Sequence, residues 1–480
     1  MGNGSNYSIR TSDRRTFRRC MRKWDFQSSL RQNLTREGTE QNINFWFGSA
    51  IHYAMEDYYG WNQCEDPRRA LYAYYNSFKE SERPANAEPH YKLGLDMLTY
   101  YLQWIERHNK DTGFETLWLD NDTNEPAAPF SDNARPAVEI SFYIPLYKYV
   151  VKDVDTGETL FTFSDSDGEE DINYDREFVS LLSDVWSPDY DADTIYTIKP
   201  LRVSPMEEDR TREVQVIGIF YHGTIDRIVV DKYGRYWLWD WKTAKSADVA
   251  KLDTDDQVSA YLWAATKVFS FPIHGFVYLQ MTKESVKAPK RLKNGELSTD
   301  KRQKTTYGLL RQEIIADYGS VQNAPSKLVD FLNTLAALEE PEGDKFIRWD
   351  FVKRTPEQIN NTSWNIYGEL DIMLKPGLVC YPTPTRDCIW DCPFRDACVM
   401  MDKDDFDNYN DFMRDYIARP RSEDGNKDEW REHLKWTYTG EDGLPELISM
   451  DTVLDSFEML NPHLEDTSTD AFKYQYEENC

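Results

Sequence analysis

Two runs, Val216–Val230 (VIGIFYHGTIDRIVV) and Tyr236–Thr243 (YWLWDWKT), decide how this chain is read. Both are rich in β-branched and aromatic residues, and Lys232-Tyr233-Gly234 between them suits a tight hairpin loop with glycine in the left-handed position. With the turn centred on Tyr233, residues equidistant from it face each other. Asp226 then opposes Asp240, with Cβ atoms about 5 Å apart. Alternation puts Trp237, Trp239 and Trp241 on one face, for burial under helices, and Leu238, Asp240 and Lys242 on the other. Two facing carboxylates repel unless a cation lies between them. A divalent metal held by Asp226 and Asp240, with the Trp241 carbonyl as a further oxygen ligand, satisfies that geometry. Lys242 on the same face could orient a water and stabilise charge on a phosphate oxygen. The plainer alternative is a solvated face on which Lys242 pairs with one aspartate.

Working outward, a helix is expected over 254–269 and a strand at His274–Thr282, after Lys242. Upstream, helices are expected at 44–60, 66–82 and 88–108, and a strand at Val138–Val151. Residues 324–340 and 356–361 also read as helical. The stretch 153–210 is acidic and turn-rich and reads as an insertion, partly ordered at best. An acidic extension follows residue 400, with a mobile tail expected at 462–480. The organisation expected is a helical N-terminal part (1–152), the insertion (153–210), a core (211–400) and the extension (401–480).

The chain has 480 residues, 40% hydrophobic and 14% aromatic, enough for a sizeable core. No apolar run reaches the length of a membrane span, the N-terminus lacks a signal-peptide pattern, and seven scattered cysteines do not look like a secreted disulfide framework. A cytoplasmic protein is expected, in the host cytoplasm if the chain is viral. The net charge of −28 is unevenly spread. Residues 1–36 carry nine Lys/Arg against two acids, and residues 283–304 carry eight against three. Those two segments read either as solvated charge runs or as a local phosphate-binding track on an anionic body, with Lys290, Arg291 and Lys293 as DNA contacts and Tyr307 available for stacking.

Taken in order, Gly223-Thr224-Ile225-Asp226-Arg227, Asp240-Trp241-Lys242-Thr243 and Gln257-Val258-Ser259-Ala260-Tyr261 resemble the G-x-x-D-R, D-x-K-T and Q-x-x-x-Y motifs of RecB-like nucleases in the PD-(D/E)XK superfamily. Gly48–Glu56 is similar to that branch's first motif, whose histidine, here His52, is a metal ligand. Glu139 falls on a further acidic position of the family. The resemblance spans about residues 10–60, 137–145, 214–310 and 380–400. It implies an α/β fold, a restriction-endonuclease-like central mixed sheet flanked by helices. It also implies Mg2+ or Mn2+ at His52, Asp226, Asp240 and Trp241, with Asp226, Asp240, Lys242, Gln257 and Tyr261 in the catalytic set. Ile225 replaces the superfamily's nominal proline.

Cys388, Cys392 and Cys398 lie within eleven residues, and Cys20 lies far upstream. The set resembles the iron–sulfur clasp of AddB-type and CRISPR-associated adaptation nucleases, which implies a [4Fe–4S] cluster joining the two ends of the chain. The spacing departs from the family's C-x2-C, which leaves Cys380 as a substitute ligand, and leaves zinc or ordinary buried thiols as alternatives. Cys64 and Cys480 have no visible partner.

The function these readings imply is a metal-dependent deoxyribonuclease, an exonuclease on single strands or DNA ends, acting in recombination, repair or phage replication. A helicase or recombination partner is compatible with it. The competing readings are a catalytically silent DNA-end-binding accessory protein and an RNA-directed nuclease. Cleavage polarity and oligomeric state are not legible in the residues.

Overall fold

The structure is a computed structural model. It describes residues 7–36, 42–60, 66–153, 159–164, 196–202, 211–246, 250, 252–338, 343–375, 378–390 and 392–418. The expected tail at 462–480, Cys64 and Cys480 lie outside the described residues.

The centre is a mixed sheet of nine strands. Its main path uses β1 (Val138–Asp153), β2 (Thr211–Val230), β3 (Tyr236–Ala244), β4 (Ile273–Thr282) and β5 (Ile347–Val352), in the order β5-β4-β3-β2-β1. Strand Thr159–Ser164 pairs with β1, and Tyr196–Arg202 pairs with β2, so the acidic insertion begins inside β1 and contributes two strands to the sheet. β3 and β4 run parallel, which requires a crossover, and α1 (Asp256–Val268) supplies it.

Three helices upstream of the sheet, Ile43–Tyr59, Pro67–Ser77 and Ala87–Thr112, cover one face. Trp237, Trp239 and Trp241 are buried beneath them with Trp46, Trp104 and Tyr101. Leu238, Ile225 and Ile228 pack on the opposite side against Val258, Trp263 and Ala264 of α1 and against Ile366 and Leu370 of the helix Pro356–Met373. The alternation read from β3 therefore becomes a sheet with aromatic packing on one side and α1 on the other. Phe114 bridges the tryptophan layer edge-on, 5.6 Å from Trp239 and 5.9 Å from Trp349, in the T-shaped geometry aromatic quadrupoles favour.

The hairpin has the expected register: Tyr236 pairs with Val230, Trp237 with Val229, Leu238 with Ile228 and Trp239 with Arg227. Gly234 supplies the left-handed residue at φ +76°. The turn is held by Asp231, whose carboxylate accepts the N–H groups of Tyr233 and Arg235, the Arg235 Nε and the Trp237 indole N–H.

The helices depart from expectation in several places. The second N-terminal helix stops at Ser77, the helix beginning at Pro356 runs on to Met373, and a helix Tyr307–Tyr318 was not foreseen. That last helix and Ser326–Ala336 share a small separate core of Leu297, Leu310, Ile314, Leu328 and Phe331. Tyr307, expected to be available for stacking, is partly buried against this core.

Strands near the two ends of the described residues meet. Tyr416–Ala418 pairs with Leu34–Arg36, Phe394 lies 4.8 Å from Phe26, and the Tyr416 hydroxyl donates to the Pro393 carbonyl. Among the described residues, no helix is long and apolar enough to cross a membrane.

Candidate active site

The ladder between β2 and β3 stops at Trp239 and Arg227, one rung short of Asp226 and Asp240. Beyond it the strands part, and the Trp241 N–H donates to Asp226 Oδ2 at 2.8 Å. The backbone of Trp241 thus enters the site through its N–H. On the other edge of β2, Val138 pairs with Arg227 and Ile140 with Ile225, which sets Glu139 opposite Asp226. Glu139 sits at φ +51°, a left-handed conformation that costs a non-glycine residue about 1 kcal/mol or more. The distortion coincides with the rung where the carboxylates gather.

His52, on the helix Ile43–Tyr59, reaches this point from the aromatic side. Its Nδ1 lies 3.5 Å from Asp226 Oδ2 and 3.9 Å from Glu139 Oε1. Among the described residues, His52, Glu139 and Asp226 form a group whose ligand atoms all fall within 4.8 Å of one another. Asp240, expected to share the ion with Asp226, is not in that group; it is 1% exposed and acts on Asp226 through its charge. Its Oδ1 accepts Lys242 Nζ at 2.8 Å and Gln257 Nε2 at 3.1 Å, while its buried Oδ2 has no hydrogen-bond partner.

Electrostatics follow from this crowding. Burial pushes Asp226 up to about 7, with His52 and Lys242 opposing and Asp240 and Glu139 adding to the rise. Burial disfavours the His52 imidazolium, yet Asp226 and Glu139 outweigh it and lift His52 to about 9. Lys242 is likewise desolvated, and Asp240 and Asp226 hold it protonated well above the ordinary lysine range. An orphaned carboxylate oxygen, a proton-hungry aspartate and three donors within one small volume are what a bound divalent cation would satisfy. The donor set is oxygen-rich with one imidazole, which suits a hard metal ion.

Gln257 and Tyr261 come from α1, whose N-terminus is capped by Asp255 through the N–H groups of Gln257 and Val258. Tyr261 meets Phe142 edge-on at 5.9 Å, and burial, with Asp240 nearby, raises its phenol. Gly223 is needed where it stands, because a Cβ there would fall 2.6 Å from the Phe142 ring and 3.3 Å from Tyr261. Arg227 points to the opposite face, where its guanidinium lies 3.6 Å from the Tyr59 ring centroid and its Nε donates to Thr116.

The basic segments are less free than composition suggests. Arg14 is buried against Asp256 and Glu369, Arg15 pairs with Asp255, Arg18 with Asp256 and Glu369, and Arg19 with Asp387. These N-terminal arginines fasten their helix, Thr11–Arg19, to the start of α1. Arg291 is held by Glu313 and Asp317, whereas Lys290 and Lys293 are exposed on the same loop.

Of the cysteines, Cys392 and Cys398 are both raised by burial, Cys398 to about 11, and each lies in the field of Cys20. Cys388 adds to the field at Cys392. Cys20 Sγ accepts the Lys23 N–H and Cys388 Sγ accepts the Thr385 N–H. Cys380 is buried, and burial and then Asp25 raise its thiol.

Sequence reasoning left Glu139 without a role and did not foresee the parting of the strands. The signals available were an acid near the start of a strand and its match to an acidic position of the family.

No curated protein matches the chain. The family model described as PD-(D/E)XK nuclease superfamily matches residues 11–146 and 194–399, which takes in every residue of the site just described. The chain belongs to the PD-(D/E)XK nuclease superfamily.

Proposed function

We propose that the chain is a Mg2+- or Mn2+-dependent deoxyribonuclease of the RecB-like branch, acting as an exonuclease on single strands or DNA ends. The observation that carries this reading is the buried, unpartnered Oδ2 of Asp240 beside the His52, Glu139 and Asp226 donors. Asp226, Asp240, His52 and Glu139, with the Trp241 carbonyl, would hold the ion. Bound there, a divalent ion supplies Lewis-acid polarisation of a phosphate and lowers the pKa of water.

The side chains do the rest. Lys242, kept charged and 2.8 Å from Asp240, stabilises negative charge developing on a phosphate oxygen and orients the attacking water. Gln257 fixes Asp240 by its hydrogen bond at 3.1 Å, and Tyr261 walls the site. The Trp241 N–H holds Asp226 in one orientation.

Single-stranded or end-containing DNA is the substrate class: a chain of net charge −28 repels nucleic acid except near local basic residues, and a narrow basic track favours a threaded strand or end over a closed duplex. Lys290 and Lys293 are the freer contacts of their loop, with Arg291 available after exchange of its acidic partners. Cys20, Cys388, Cys392 and Cys398 are the ligands of a [4Fe–4S] cluster, a reading supported by the charges of Cys20 and Cys388 acting on Cys392 and of Cys20 and Cys392 on Cys398. Linear and covalently closed single-stranded DNA, digested side by side with Mg2+, test the exonuclease assignment. Linear strands should be degraded and closed circles spared; equal rates on both overturn it.

A further inference from the structure

β1 and β2 carry a row of side chains that leads away from the carboxylates. One step beyond Glu139 and Asp226, Ser141 Oγ and Thr224 Oγ1 lie 3.1 Å apart. One step further, Tyr143 and His222 are cross-strand partners whose rings stack at 4.3 Å with planes 5° apart. Tyr143 is 44% exposed and His222 only 4%, so the histidine backs the tyrosine from below. Arg10 Nε donates to His222 Nδ1 at 3.1 Å, which fixes the imidazole tautomer and brings a cation to the edge of the pair.

The outer ring is large and presented to solvent, and its orientation is held from beneath by a second ring and a guanidinium. Tyr143 lies four residues along the strand from Glu139, a span of about 13 Å. That is about four phosphates of a stacked strand, and fewer of a stretched one. The intervening rung offers two hydroxyls, which suit phosphate or sugar oxygens.

We propose that Tyr143, backed by His222 and Arg10, is a nucleobase-stacking platform that seats a single strand two to four nucleotides from the scissile phosphate. The inference rests on the nuclease reading for what happens at Asp226 and Asp240, but the platform binds independently of cleavage. Any base offers a π-face, so the platform is tolerant of sequence and selective for unpaired nucleotides.

Two measurements test it. In an Asp240→Asn background, a labelled oligothymidylate should bind about five- to hundredfold more weakly when Tyr143 becomes Ala, and Tyr143→Trp should retain binding. In the otherwise native enzyme, Tyr143→Ala should raise KM by a similar factor and change kcat by less than about twofold. Unchanged binding in Tyr143→Ala, with its melting temperature unchanged, overturns the platform. So does equal loss in Tyr143→Trp. Scanning a single abasic site along the oligonucleotide gives a readout that needs no variant. One or two positions should lose affinity, and a flat profile contradicts the proposal. If DNA binding depends on Tyr143 while no cleavage occurs with Mg2+, the platform stands and the nuclease reading fails; cleavage insensitive to Tyr143 gives the reverse.

Discussion

Asp226 Oδ2 accepts the Trp241 N–H at 2.8 Å, at the point where the β2–β3 ladder gives out. A side chain there takes the place of a strand carbonyl, and the opening so made is where His52 and Glu139 meet Asp226. Asp226→Asn retains the shape and an acceptor oxygen but removes one charge. It should fold with a melting temperature close to that of the parent and lose metal affinity and cleavage together. Calorimetric titration with Mn2+ checks this; undiminished affinity would show that Asp226 does not bind the ion.

Metal binding should tighten with pH. Asp226 is held up to about 7 and must lose its proton to ligate, and His52, held up to about 9, must do the same. Raised pKa values mean that protons compete with the metal below those pH values. Between pH 6 and 8 the deprotonated fraction of Asp226 alone rises about tenfold, so affinity should rise by at least about tenfold. Titrations at the two pH values in buffers of different ionisation heat would also register the released protons. Equal affinity at both contradicts the site.

The hairpin turn depends on Asp231. Burial opposes its ionisation, but hydrogen bonds from Arg235, Trp237 and Tyr233 hold the carboxyl down to about 2. A depressed carboxyl contributes stability that is present above its ordinary range near 4 and fades as pH falls toward 2. Asp231→Ala should therefore cost about 2 kcal/mol at neutral pH. Against the parent, the difference should shrink at pH 3, which urea unfolding at the two pH values measures.

Iron analysis tests the cysteines. Anaerobically purified protein should be brown and carry about four iron and four sulfide per chain. Cys20→Ser should lower iron content and melting temperature together, while the pairing of Leu34–Arg36 with Tyr416–Ala418 keeps the ends joined. A colourless protein with one zinc or none contradicts the cluster.

Much of the fold was legible because it depends on short periods. A two-residue alternation sorted Trp237, Trp239 and Trp241 from Leu238, Asp240 and Lys242, and Gly234 marked the turn that set the register. Gln257 was placed by a helix starting at Asp255, a strong cap, and it reaches Asp240 as the motif implied. The partners of charges were not legible. Arg14 and Glu369 are 355 residues apart in the chain, and composition counts both as free. Arg291 was read as a DNA contact, while Glu313 and Asp317 lie on a helix that the sequence did not reveal. Strain at Glu139 escaped because a left-handed residue inside a strand leaves no trace in hydrophobic pattern.

The most direct measurement is digestion of end-labelled single- and double-stranded DNA, with Mg2+ or with EDTA, by the native chain and by Asp240→Asn and Lys242→Ala. Asp240 Oδ1 accepts Lys242 and Gln257, and its buried Oδ2 has no hydrogen-bond partner, so one substitution removes a proposed ion ligand and the other the cation proposed to act at the phosphate. The native chain should cleave only with the metal, and each variant should be slower by at least about a hundredfold while still binding DNA. Cleavage in EDTA, or variants that cut at the native rate, would contradict a metal-dependent nuclease built on Asp226, Asp240 and Lys242.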